Sequence, residues 1–227
     1  MPIYKKVNRS FFREWNSNMA YVLGFFAADG SMVKNSRGAC FIEFHVTDIE
    51  ILEKIRVAME SDHKISVRLP RHKKWKTSYR LQIGSKDMFN DLQSLGFSQT
   101  KTKIIRVPQV PYNYFWDFVR GYFDGDGCIT SGTYKVKDRK NPRFTYKTSF
   151  TSGSLGFLED LKKIFKERGI ASFIYTKKQN KKEIGYDLVL SHRSSLALYG
   201  YMYNNRCHSI YLERKKKIFD RIIKMQR

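Results

Sequence analysis

The sequence predicts a mixed α/β (α+β) fold built from two pseudo-symmetric αββαββα repeats. Each repeat is expected to form a curved antiparallel sheet backed by helices, and a two-helix interface is expected at the centre. Three observations lead there. The stretch V-L-G-F-F-A-A-D-G-S-M at Val22 to Met32 has a near copy, V-R-G-Y-F-D-G-D-G-C-I, at Val119 to Ile129. The copies stand 97 residues apart, too far for a solenoid unit of roughly 20 to 50 residues and suited to two fused small domains. After each copy, strand-like alternation and helix-like apolar stripes follow in the same order. The first repeat, residues 1–107, takes in a basic lead-in and the start of a linker; the second, residues 108–227, takes in a C-terminal helix.

In chain order, Asn16 or Ser17 can cap the first motif helix. Met32 to Lys34 begins a hairpin turning through Asn35 to Gly38. In the return strand Ile42, Phe44 and Val46 alternate with Glu43, His45 and Thr47. Asp48 is placed to cap a helix striped by Ile49, Leu52, Ile55 and Met59. Strands are expected at about Lys64 to Arg71 and Lys76 to Gly84, with Ser66, Arg68, Ser78, Arg80 and Gln82 opposite Ile65, Val67, Leu69, Tyr79, Leu81 and Ile83. Ser85 can cap the next helix and Gly96 can end it. Phe97 to Pro111 reads as an extended linker, because Pro108 and Pro111 resist helix. The second repeat then offers a motif helix from about Tyr112, strands near Cys128 to Lys137 and Arg143 to Ser152, and a helix near Leu155 to Arg168. Strands near Ala171 to Lys178 and Ile184 to His192 and terminal helices complete it. Here Thr133, Lys135, Lys137, Arg143, Thr145, Lys147, Ser149 and Thr151 are expected on the polar face, with Tyr134, Val136, Phe144, Tyr146 and Phe150 on the other.

Each motif reads as a helix that ends at its acid. Gly24 and Ala28, like Gly121 and Gly125, lie four apart and form a small-residue stripe against which a second helix backbone can pack. Gly30 and Gly127 can take the left-handed conformation that stops a helix. If the stripes face each other, Asp29 and Asp126 end as neighbours at the negative ends of two helix dipoles. Such a pair demands a cation, and oxygen ligands suit a hard divalent ion such as magnesium or calcium. An EF-hand starting at Asp124 is excluded, since Ile129 falls where glycine is required and Lys135 where glutamate is required. Asp124 has Ala27 as its counterpart, so symmetry does not support it as a ligand.

The 227 residues carry 43 Lys and Arg against 21 Asp and Glu, a formal charge of +22. Residues 1–110 hold 19 basic and 10 acidic residues, so the charge belongs to both repeats and not to a tail. This balance favours a polyanion, nucleic acid before membrane, because no apolar span accompanies it. Cys40, Cys128 and Cys207 have no paired spacing and read as reduced thiols of an intracellular protein. The five histidines lack zinc-site spacing and read as surface or groove residues. Polar strand faces rich in Arg, Lys, Gln, Ser and Thr suit the major groove of DNA, with Arg matched to guanine and Gln to adenine.

The paired V-L-G-F-F-A-A-D-G and V-R-G-Y-F-D-G-D-G, each followed by strands, resemble the doubled motif of single-chain LAGLIDADG homing endonucleases, over nearly the whole chain. The resemblance implies an intron-encoded monomer with two sheet saddles in successive major grooves of a long double-stranded DNA site, cutting both strands across the minor groove. It implies that Asp29 and Asp126 are catalytic metal ligands, joined by the backbone of Ala28 and Gly125. Magnesium would be the working ion, manganese its substitute, and calcium an ion that binds with little turnover. Lys101 in Q-T-K-T-K, with Lys103 its nearest rival, and Lys215 in Y-L-E-R-K-K match the family's catalytic lysines. The polar position after the second strand falls on Asp48 and Ser152, where many relatives have Gln. DNA contacts are expected from Arg37, His45, Arg68, Arg71, Lys73, Lys74, Arg80 and Gln82 in the first repeat. In the second they are expected from Lys135, Lys137, Arg143, Lys147, Lys177 and Lys178. An RNA-splicing maturase gripping its host intron, or a DNA-binding protein without cleavage, is the alternative on the same fold.

Overall fold

The computed structural model describes residues 5–70, 72–99, 104–135, 141–179, 182–204 and 210–226. The first half runs α1 (Ser17–Asp29), β1 (Gly30–Lys34), β2 (Cys40–Val46), α2 (Ile49–Ala58), β3 (Ile65–Arg68), β4 (Ser78–Gly84) and α3 (Lys86–Ser94). After a single 3-10 turn at Tyr112–Tyr114 come α4 (Phe115–Asp126), β5 (Gly127–Tyr134), β6 (Arg143–Ser152) and α5 (Leu155–Glu167). The chain ends with β7 (Phe173–Gln179), β8 (Lys182–Leu190), α6 (His192–Tyr203) and α7 (Glu213–Lys224). Each half carries one four-stranded antiparallel sheet, in the orders β1-β2-β4-β3 and β5-β6-β8-β7. Among the described residues no helix is long and apolar enough to cross a membrane.

By packing, the chain divides into two compact units that do not follow the sequence repeat. One unit is Met1–Lys101, Pro108–Gly125 and Ser209–Tyr211; the other is Thr102–Val107, Asp126–His208 and Leu212–Arg227. The second motif helix, α4, therefore packs in the unit of the first sheet.

In the first unit, α1 is apolar all round, as a helix with no solvent face must be, and Met19 to Ala27 are all buried. Asn16 starts it, accepting a hydrogen bond from the Met19 N–H at 2.9 Å. Ile42, Phe44, Leu81 and Ile83 fill the inner face of the sheet, with Ile51, Leu52 and Ile55 of α2 and Met88, Phe89 and Leu92 of α3 also buried. Phe26 of α1 meets Phe44 and Phe97 edge-on, tying the motif helix to its sheet. Ser85 caps α3 as expected, at 3.2 Å from the Met88 N–H. Asp48 stands at the N-cap of α2, but its side chain makes no capping bond.

Several expectations need correction. Gly30 is extended, with φ −84° and ψ 158°, and begins β1 directly; Gly127 likewise begins β5 and has no positive φ. Glycine is needed at 30 because a Cβ there would strike the Phe26 ring. β3 ends at Arg68, and Val67 and Leu69 are 59% and 79% exposed, because the strand lies at the sheet edge. His63 is buried, and its imidazole shares a hydrogen bond with Ser61. Burial, with Lys5 nearby, lowers its pKa from the usual value near 6.5. The described parts of the linker are packed: Phe97 and Ile105 are buried, and Arg106 grips Asp160 of α5 at 2.5 and 2.7 Å.

In the second unit Tyr146, Phe150, Leu188 and Leu190 are buried together with Phe157, Leu158, Leu161 and Phe165 of α5. Leu198 and Met202 of α6 and Phe219 and Ile222 of α7 add to this core. Residues directly opposite in an antiparallel pair share a face, and the register is Thr133↔Phe144 and Tyr134↔Arg143. The polar assignment of this stretch is thus inverted: Thr133 lies on the helix side, and Tyr134 stands on the open face with Arg143. Lys135 lies beyond the strand, and Val136 and Lys137 lie outside the described residues.

Candidate active site and nucleic-acid interface

Close approach of α1 and α4 sets the geometry. A Cβ on Gly24 would run into the Phe118 carbonyl, and one on Gly121 into the Tyr21 carbonyl, so each stripe receives the other helix's backbone. A Cβ on Gly125 would meet the Ala28 methyl and stand 3.1 Å from Asp29 Oδ2. The Asp29 carboxylate therefore lies against Gly125, the residue bonded to Asp126. Asp29 and Asp126 are both half-buried, and neither helix has a basic residue in its last turn. A carboxylate at the C-terminal end of a helix sits at the negative end of the helix dipole, and its oxygens are ligands of the kind a hard divalent cation takes.

The rest of α4 is equally built. Asp117 and Arg120 are fully buried and joined at 2.6 Å. Arg120 Nε donates to the Ile210 carbonyl at 2.9 Å, and the guanidinium lies over the Tyr21 ring. Asp124 is buried and accepts from the Tyr21 hydroxyl at 2.7 Å.

In the second unit α7 packs on β5. Lys215 is buried there, and its Nζ donates to the Gly127 carbonyl at 2.6 Å, one residue beyond Asp126. Its neighbour Lys216 is instead paired with Asp220 at 2.9 Å. Lys101 and Lys103 lie outside the described residues. The Ser152 hydroxyl sits on the helix side of β6 and accepts from the Ser154 N–H at 3.1 Å, so it serves the turn into α5.

The open face of the first sheet carries Glu43, His45, Ser66, Arg68, Ser78, Arg80 and Gln82 in one register. The second carries Cys128, Thr130, Tyr134, Arg143, Lys147, Ser149, Thr151, Asp187 and Val189. A LAGLIDADG-like domain model matches residues 16–95 and 116–202, more than half of the chain and both motifs. The chain belongs to the LAGLIDADG family.

Solved structures agree on the fold of this LAGLIDADG protein. The I-LtrWI LAGLIDADG homing endonuclease bound to target DNA superposes with a TM-score of 0.61 at 13% identity, over 96% of this chain and 91% of that one. The I-SmaMI LAGLIDADG homing endonuclease bound to cleaved DNA gives 0.59 at 14% identity, over 91% and 87%. I-SmaMI bound to an uncleaved target in the presence of calcium ions gives 0.54 at 14%, over 85% and 87%. A probable translation initiation factor IF-2 of Thermococcus kodakarensis is 29% identical over 221 residues, 91% of this chain. The chain spans only 16% of that relative's length.

The remaining expected contacts of this LAGLIDADG chain scatter more widely. Arg37 lies in the β1–β2 turn with its N–H on Asn35 Oδ1. His45 is exposed and bonded to Ser78 at 2.8 Å. Lys73 and Lys74, with His72 and Trp75, line a concavity of about 540 Å³ in the β3–β4 turn, while Arg71 lies outside the described residues. Arg143 and Lys147 are exposed. Lys177 pairs with Asp187 at 3.6 Å, and Lys178 follows a register shift. Sequence reasoning missed the acidic partners, Glu43 and Asp187. Their place beside basic residues emerges only once register is known.

Proposed function

We propose that the chain is a site-specific, divalent-metal-dependent endonuclease that binds a long double-stranded DNA site and hydrolyses one phosphodiester in each strand across the minor groove. The observation that carries this reading is the glycine-locked α1–α4 pair, which sets the Asp29 carboxylate against the residue preceding Asp126. Asp29 and Asp126, with the backbone of Ala28 and Gly125, would hold the cation. When bound, such an ion supplies charge stabilisation to the attacking and leaving oxygens. Lys215, fixed on the Gly127 carbonyl, would orient the attacking water in the lobe of Asp126, and Lys101 would do so in the other lobe. The two sheet faces would hold phosphates and bases, and a charge of +22 would draw DNA to both.

Magnesium incubation with a randomised DNA library should yield double-strand cuts at one recoverable site, and calcium should support binding with little cutting. Asp29→Asn or Asp126→Asn should each abolish double-strand cleavage while leaving DNA binding in calcium largely intact. Wild-type cutting of both strands by either variant would sink the assignment.

A further inference from the structure

On the open face of the first sheet, Glu43 of β2 lies directly opposite Gln82 of β4, and Arg80 is two residues along the same strand. The Gln82 amide donates through Nε2 to Glu43 Oε1. It accepts, through its own oxygen, from Arg80 Nη2 at 3.4 Å. Arg80 Nη1 stands 3.7 Å from the same Glu43 oxygen. Both edges of the Gln82 amide are thus engaged, which turns it from a reader of adenine, as the sequence suggested, into a strut between an acid and a base. The arrangement leaves Glu43 Oε2 without a protein partner among the described residues, and it leaves Arg80 further N–H groups at the fork of its guanidinium.

A carboxylate on a face that meets a polyanion costs electrostatic attraction, so its presence there calls for a specific gain. The major-groove edge of a G·C pair offers one: two acceptors, N7 and O6, on guanine and one donor, the 4-amino group, on cytosine. An arginine fork suits the first pair and a carboxylate oxygen suits the second. Neighbouring strands lie about 4.8 Å apart, so side chains rising from adjacent strands can address the two bases of one pair.

We infer that Glu43 is a specificity-determining residue: with Arg80, and held by Gln82, it reads a single G·C base pair, Arg80 on the guanine and Glu43 on the amino group of the cytosine. This rests on the proposed DNA-binding function and adds to it an acidic reader that the basic composition conceals.

The test starts with selection of binding sites from a randomised duplex library by the wild-type chain in calcium, followed by the same selection with Arg80→Ala to find the base pair it reads. That pair is then rebuilt with guanine opposite pyrimidin-2-one, which lacks the 4-amino group. Wild type should lose about tenfold in affinity for the modified duplex, a typical size for one base contact. Glu43→Ala should bind modified and unmodified duplexes equally, and Glu43→Gln should lose preference at this pair and no other. The inference is overturned if wild type ignores the missing amino group, if Glu43→Ala is as sensitive to it as wild type, or if Arg80→Ala relaxes no G·C position. Should the wild-type chain enrich no sequence at all, the DNA-binding reading itself fails, a different result from enrichment of a site without that pair.

Discussion

In the strand row next to the motif, the first sheet carries Ser66, Arg80 and His45, whereas the second carries Tyr175, Asp187 and Thr151 at the same register positions. One row on, Glu43 and Gln82 are replaced by Ser149 and Val189. The inner faces diverge less: Phe44 corresponds to Phe150, Leu81 to Leu188 and Ile83 to Leu190, all buried, although Ile42 corresponds to the buried Thr148. The motif helices also agree at Gly24 and Gly121 and at Asp29 and Asp126. The two halves thus share what packs and what carries the acids, and they differ where a half-site would be read. Such a chain suits a target whose two halves are unlike in sequence.

The shared part should be the easiest to break. Replacing Gly24 or Gly121 with leucine drives a side chain into a carbonyl of the facing helix, and neither backbone can yield without parting the pair. Each substitution should destabilise the chain by roughly 4 kcal/mol or more, read from the denaturation midpoint. A loss below about 1 kcal/mol in either variant would show that the helices can slide apart cheaply.

A difference inside that likeness gives the next largest effect. Where α1 has Ala20 and Leu23, α4 has Asp117 and Arg120, fully buried and paired. Arg120→Leu removes the buried cation paired with the Asp117 carboxylate and should cost about 3 to 5 kcal/mol. Adding Asp117→Ala, which gives α4 the residues of α1, should recover most of that loss, leaving chiefly the Ile210 carbonyl without its donor. The outcome is read as the difference in unfolding free energy between single and double variants. A double variant no more stable than the single one would mean that Arg120 acts through Ile210 and the Tyr21 ring, and little through Asp117.

These cases show what the sequence could and could not disclose. The motif helices, their glycines, the Ser85 cap and the inner faces of β2 and β6 were legible because each depends on residues a few positions apart. The outward face of β5 was not, because Ser131, Gly132 and Thr133 include no apolar residue to fix its phase. The partner of Arg120 at Ile210 and the partners of Glu43 on β4 lie far away in sequence, and only register joins them. Val67 and Leu69 alternate like buried residues, yet an edge strand leaves them in solvent. The candidate site was legible as a list of acids and lysines. Its packing, down to the buried Lys215 on the Gly127 carbonyl, was not.

The smallest effect tests the comparison between the sheets most directly. Asp187 accepts from the Thr151 hydroxyl at 2.6 Å and stands 3.6 Å from Lys177 Nζ, while the corresponding Arg80 faces Glu43. If identity at this position sets the reading of each half-site, Asp187→Arg should bring the second half toward the behaviour of the first. It should gain preference for guanine at one base pair of its own half-site, worth about 1 to 3 kcal/mol of discrimination. Total affinity should rise as well, because a negative charge becomes a positive one and one more phosphate counterion can be released. Preference in the other half-site should stay as it was, since Arg80 and its partners are untouched. Binding of every single-base variant of the target, measured at two salt concentrations, separates these terms. A rise in affinity with no new preference at any position would assign Asp187 to charge balance alone, and a changed preference in the first half-site would show that the two sheets do not read separately.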